Sequence, residues 1–162
     1  MQDCLIERLK AVGDCVMKHA PRVNNGGCAV YAAAVAAHLA DRGITTWGVL
    51  TSQLRKDDLH TVREQDEPHT LDDWNSSGVF IGHVMIQFEH NSRVWTHDTR
   101  RTTCGRVHKD SCFGERLCPG YLTIPELVTI ADQPEGWNPV FRRETGIPVI
   151  QAAVRRHLRH VA

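Results

Sequence analysis

The sequence predicts an α+β fold, formed as a single domain over residues 1–162, on three observations. Asn24-Asn25-Gly26-Gly27-Cys28 runs straight into the alanine-rich segment Ala29 to Leu39. Two strand-like runs, Val79 to Phe88 and Arg93 to Thr99, lie one turn apart. Stretches at both ends of the chain repeat their apolar residues at helical spacing. A chain of 162 residues is long enough to bury a core without disulfide or metal staples.

Taken in order, residues 2–20 read as an amphipathic helix with Leu5, Leu9, Val12 and Val16 on one stripe and Pro21 as its stop. Cys4 and Cys15 lie on or beside that stripe and read as packing residues. The Asn-Gly loop follows, then a helix from Cys28 that is apolar nearly all round and is closed by Gly43. Such a helix is expected to be buried, with its first turn open to solvent. Ile44 to Leu50 reads as a strand. Residues 51–78 are mostly polar, with a short helix suggested by Leu54, Leu59 and Val62, and with Trp74 expected to dock on the core. Thr123-Ile124-Pro125-Glu126 has capping-box spacing and opens a helix to Ala131. Asn138-Pro139 suggests a further helical turn, and Pro148 the start of the last helix.

Between the two central strands, Glu89-His90-Asn91-Ser92 forms the turn. A turn centred between His90 and Asn91 pairs Ile86 with Trp95 and Val84 with His97 on one face. On the other it pairs Met85 with Thr96 and His83 with Asp98. Directly opposed Cβ atoms lie about 4.5–5.5 Å apart, close enough for a carboxylate to hold an imidazole.

Composition excludes some classes of function. Nineteen basic residues balance nineteen acidic ones, so no strong field points to nucleic acid or to a membrane surface. No apolar window is long enough to span a bilayer and no secretory signal is evident, so a soluble, cytoplasmic protein is expected. Six cysteines do not form a secreted disulfide pattern, and free thiols are expected.

The chemistry concentrates on Cys28, His83 and Asp98. A cysteine in the first turn of a helix meets unpaired backbone N–H groups and the positive end of the macrodipole, and both favour the thiolate. An imidazole beside it takes the proton, and a carboxylate fixes the imidazole. A different set, Cys104, His108, Cys112 and Cys118, has spacing that could bind zinc. It lacks the tight Cys-x2-Cys knuckles of structural sites, and neither metal nor cofactor is expected. The same 99–120 segment is rich in Arg and Lys, which suits either an acidic substrate segment or a solvated surface.

Asn-Gly-Gly-Cys-Ala-Val-Tyr with its small-residue helix, Gly82-His83-Val84-Met85-Ile86, and Thr96-His97-Asp98-Thr99 together resemble the papain-like and transglutaminase-like cysteine enzyme superfamily. The resemblance covers residues 22–100. It implies a cysteine helix packed on an antiparallel sheet that carries the histidine and the acid. It also implies a peptidase, amidase, deamidase or acyltransferase acting on a peptide or protein substrate, with Cys28, His83 and Asp98 catalytic. The papain branch places a glutamine six residues before the cysteine, where this chain has Arg22. Asn24 and Asn25 are therefore the expected side-chain donors to an oxyanion hole. Two other readings stay open at this point: a catalytically silent binding or inhibitory module of the same fold, and a small zinc-stabilised interaction protein.

Overall fold

The computed structural model describes residues 4–24, 26–52, 81–105, 119–132 and 141–160. The expectations for Asn25, for a helix around Leu54 to Val62, for Trp74, for His108, Cys112 and Cys118, and for a turn at Asn138-Pro139 lie outside these residues.

Helix α1 (Cys4–His19) buries Leu5, Ile6, Leu9, Val12, Gly13 and Val16, the stripe its spacing requires. Cys4 is exposed rather than packed, and its sulfur accepts a hydrogen bond from Arg8 Nε at 3.0 Å. Gly13 matters for what lies against it. A Cβ at this position would stand 2.5 Å from the Thr99 carbonyl oxygen, so α1 can approach the turn after Asp98 only because residue 13 has no side chain. Gly13→Ala should therefore destabilise the protein by about 1–2 kcal/mol, the overpacking cost exceeding the gain in helix propensity. Urea unfolding measures it, and an unchanged or raised stability would contradict the close approach.

Helix α2 (Cys28–Ala40) starts and stops where the sequence directs. Gly43, with φ +74, closes it, and the Ile44 N–H returns to the Leu39 carbonyl at 3.1 Å. That bond uses Ile44 in the helix terminus, so the first strand β1 (Thr46–Ser52) begins two residues later than the hydrophobic pattern suggests. The expected exposed first turn of α2 is not observed. Cys28, Ala29, Val30 and Tyr31 are all buried, and the Phe141 ring packs on the Gly27 backbone just before them.

Strands β2 (Ile81–His90) and β3 (Arg93–His97) form the expected hairpin, with β4 (Thr102–Cys104) beside β3 and β5 (Pro119–Leu122) beside β1. The result is a five-stranded antiparallel sheet in the order β4-β3-β2-β1-β5. Helix α2 lies against β1 and β2, where Val84, Ile86 and Phe88 join its apolar residues in the core.

The hairpin register differs from the expected one by two residues. Ile86 pairs with His97, Phe88 with Trp95 and His90 with Arg93. The turn is Asn91-Ser92, both at positive φ (51 and 58), which is the two-residue geometry that matches strand twist. A shift of two keeps every side chain on its expected face and moves only its partner. Asp98 is therefore diagonal to His83 rather than opposite it.

Helix α3 (Ile124–Asp132) carries the expected capping box: the Thr123 N–H donates to Glu126 Oε2 at 2.7 Å. Helix α4 (Arg143–Leu158) begins five residues before Pro148. The Gly146 N–H already bonds the Arg142 carbonyl at 2.7 Å, so the helix is established before the proline, which removes one later bond only. Among the described residues no helix is long and apolar enough to cross a membrane.

Candidate active site

The start of α2, the start of β2 and the end of β3 meet at one place, and each supplies one reactive side chain. Cys28 is the first residue of α2, and Gly27 before it contributes no side-chain cap. The first N–H groups of the helix are thus left to other acceptors. The His83 side chain and the backbone N–H groups of Val84 and Ala29 face the Cys28 thiol and favour its ionised form. On the β3 side, pairing with β2 reaches only as far as Ile86, so Val84 lies beyond the end of that ladder. Pairing with β1 also slips between Thr51 and Ser52, beside His83, an irregularity of the kind that re-aims a strand side chain.

Asp98 is the first residue after β3 and carries two functions on two oxygens. Oδ1 accepts the N–H groups of Arg100 and Arg101 at 2.7 and 2.9 Å, which fixes the tight turn into β4. Oδ2 lies 3.3 Å from His83 Nε2. His83 thus interacts with the Asp98 carboxylate through Nε2 and electrostatically with the Cys28 thiol.

The electrostatics follow from that grouping. Burial pushes the Cys28 thiol up, but the hydrogen bond from His83, the imidazolium charge and the two backbone N–H groups outweigh it, and the thiol is held below its ordinary value. Burial would lower His83, yet the Asp98 and Cys28 hydrogen bonds and their charges raise it to about 9. Burial likewise opposes the Asp98 carboxylate, and the His83 bond together with the Arg100 and Arg101 N–H groups keeps it ionised below its usual range. Each group favours the charged form of its neighbour, so the arrangement can hold a thiolate–imidazolium pair near neutral pH. Cys28 keeps 8% of its surface accessible and the His83 side chain 17%, so the pair is narrowly reachable from solvent.

Behind the site lies a polar cluster that the sequence reading did not single out. Tyr31, one turn into α2, lies with its hydroxyl 2.7 Å from His97 Nε2, and His97 Nδ1 lies 2.8 Å from Thr102 Oγ1. His97 is 1% exposed, and burial lowers it to about 4 despite the nearby Asp98 charge, so the ring is neutral. The signal was available: strand alternation puts His97 on the same face as Ile86, where a polar ring requires buried partners.

Asn24 has a bracing geometry. Its Oδ1 accepts from Thr99 Oγ1 at 2.7 Å and its Nδ2 donates to Met17 Sδ at 3.4 Å, tying the loop before α2 to the acid-bearing turn and to α1. Its amide is thus engaged through both its oxygen and its nitrogen. Gln87, on β2, is fully buried and bonded to Trp47 and Thr96. Of the alternative zinc set only Cys104 is described; it is exposed at the end of β4. Among the described residues no three His, Cys, Asp or Glu side chains are grouped to hold a metal ion.

Comparison of the chain with protein-family models, with curated proteins and with solved structures finds no match.

Proposed function

We propose that this chain is a cysteine hydrolase of the papain-like and transglutaminase-like type, cleaving an amide, peptide or isopeptide bond through a thioester on Cys28. The supporting observation is the grouping of Cys28, His83 and Asp98, with Cys28 the first residue of a buried helix, the imidazole 3.3 Å from the Asp98 carboxylate, and the thiol held below its ordinary value beside that imidazole.

In the proposed reaction the Cys28 thiolate adds to the acyl carbon, and the Cys28 N–H stabilises the resulting oxyanion. The tetrahedral species collapses with loss of the amine, which takes its proton from the His83 imidazolium. The neutral ring then removes a proton from water as the water attacks the thioester. Collapse of the second tetrahedral species releases the acid and returns the thiolate–imidazolium pair. An amine in place of water gives acyl transfer instead. Asp98 keeps Nε2 protonated and the ring turned toward the sulfur throughout.

The test uses the thiols already present. Cys4 and Cys104 are exposed, whereas Cys28 is buried. Exposure alone predicts that iodoacetamide at pH 6.5 labels Cys4 and Cys104 first. An ionised thiol predicts the reverse order, with Cys28 at least about tenfold faster. Mass-spectrometric mapping of the time course decides it, and labelling of Cys28 no faster than the exposed pair would overturn the proposal.

A further inference from the structure

A cleft of about 320 Å³ opens where α1 ends and α4 begins, lined by His19, Pro21, Arg22, Phe141, Arg142 and Gly146 among others. Its floor is the Phe141 ring, which is 5% exposed. The ring is pressed against the Gly27 backbone so closely that a Cβ there would lie 2.6 Å from it. Gly27 precedes Cys28, and adjacent Cα atoms are about 3.8 Å apart. One aromatic ring therefore separates the cleft from the residue next to the nucleophile. A volume of this size is at the lower limit of ligand pockets, about 300–1,000 Å³, and suits one or two residues of a peptide.

The charge of the cleft has one sign. Arg22 and Arg142 are both exposed, and among the described residues neither makes an ion pair. The residues lining the cleft include no carboxylate. Two exposed arginines at the lining of a cleft that also holds Phe141 and Pro21 match a ligand with a short hydrocarbon stem and a terminal carboxylate. Phe141 and Pro21 would cover the stem, and the guanidinium forks would take the oxygens.

We propose that this cleft is the recognition pocket for an acidic side chain of a peptide substrate, seating it beside the acyl carbon that Cys28 attacks. The placement beside the acyl carbon rests on the reading of Cys28 as nucleophile; the preference for a carboxylate stands on the cleft alone.

Two measurements keep these apart. Labelling of Cys28 is timed at low salt with three small reagents: iodoacetamide, N-iodoacetyl-glutamate amide and N-iodoacetyl-glutamine amide. The last two differ only in charge. The glutamate reagent should react about three- to tenfold faster than the glutamine one, and this ratio should fall toward one in an Arg22→Gln/Arg142→Gln variant and in high salt. Separately, N-acetyl-glutamate amide is titrated into Cys28→Ser protein while the backbone amide resonances of Gly27, Thr145 and Gly146 are followed. Saturable shifts absent with N-acetyl-glutamine amide support the pocket without any reaction at sulfur. A glutamate-to-glutamine ratio of one, with iodoacetamide labelling Cys28 rapidly, overturns the pocket and leaves the nucleophile standing. Failure of all three reagents to label Cys28 overturns the proposed function, and the amide titration then decides the pocket alone.

Discussion

Replacing His83 with alanine should slow alkylation of Cys28 at pH 6.5 by about 10²-fold. Without the imidazole, only the two backbone N–H groups oppose burial, and the thiol is no longer held below its ordinary value. At pH 6.5 an ordinary cysteine thiol is ionised in roughly one molecule in a few hundred, and the wild-type thiol, held lower, in a larger share. Part of the gain is offset because a thiolate of higher pKa is intrinsically the better nucleophile. The pH dependence carries more information than the single rate. In the wild type the thiolate forms below the ordinary thiol range and remains paired until His83 loses its proton at about 9. Above that value the leaving amine has no acid to protonate it, so turnover should fall there even though alkylation does not. In the His83→Ala protein alkylation should follow one simple rise at high pH. A wild-type profile with that same single rise would remove the thiolate–imidazolium pair from the account.

Asp98 is linked to the same behaviour through its two oxygens. In an asparagine variant the Arg100 and Arg101 N–H groups claim the carbonyl oxygen, since the turn needs an acceptor there. The amide NH2 is then left facing His83 Nε2, a donor opposed to a donor. An asparagine can orient a histidine in a site where its carbonyl is free; here the turn has already taken it. The acid's second function is what makes the aspartate hard to replace.

What the sequence disclosed is what local chemistry dictates. The Gly26-Gly27-Cys28 entry to α2, the Gly43 stop and the Thr123–Glu126 box are each decided by neighbours in the chain, and each forms at the expected residues. The hairpin was legible to its faces and not to its register. Asn91-Ser92 lacks the glycine that would have marked a two-residue turn, and alternation constrains register only modulo two. The short β4 and β5 strands carry too few residues for any periodicity. Gly13 looks like a helix weakness in sequence, and Gly27 and Gly146 fall outside the expected helices, yet Gly13 admits Thr99 while Gly27 and Gly146 enclose the Phe141 ring. Such close approaches are created by tertiary packing and leave no local trace. Tyr31 and His97 stand sixty-six positions apart, and only the pairing of α2 with the sheet brings them together.

That buried pair also sets how the fold should respond to acid. His97 sits at about 4 in the folded protein, against 6.5 for a free imidazole. A lowered histidine binds its proton in the unfolded chain first. The stability contributed by neutral His97 is therefore complete above about pH 6.5 and declines as the pH falls toward 4, a loss of about 3 kcal/mol in all. Raised His83 acts with the opposite sign and contributes stability that is lost as the pH rises from 6.5 through about 9. The Tyr31 hydroxyl gives no relief: burial and the nearby Asp98 and Asp14 charges push its own pKa well up, so it stays a neutral phenol. Asp98 acts with its own sign in a more acid window, because its lowered carboxylate contributes stability that is lost only below its ordinary range near 4. The Cys28 thiolate would add to the same slope, since a folded thiolate binds one proton fewer than an unfolded thiol. The measurement is therefore made in Cys28→Ser protein, by urea unfolding at pH 7, 5.5 and 4.5. The slope between those values should shrink markedly when His97→Gln is added, which keeps a polar side chain but removes the titration. An equal slope in both proteins would mean that His97 is protonated in the folded state, and the neutral ring between Tyr31 and Thr102 would have to be abandoned.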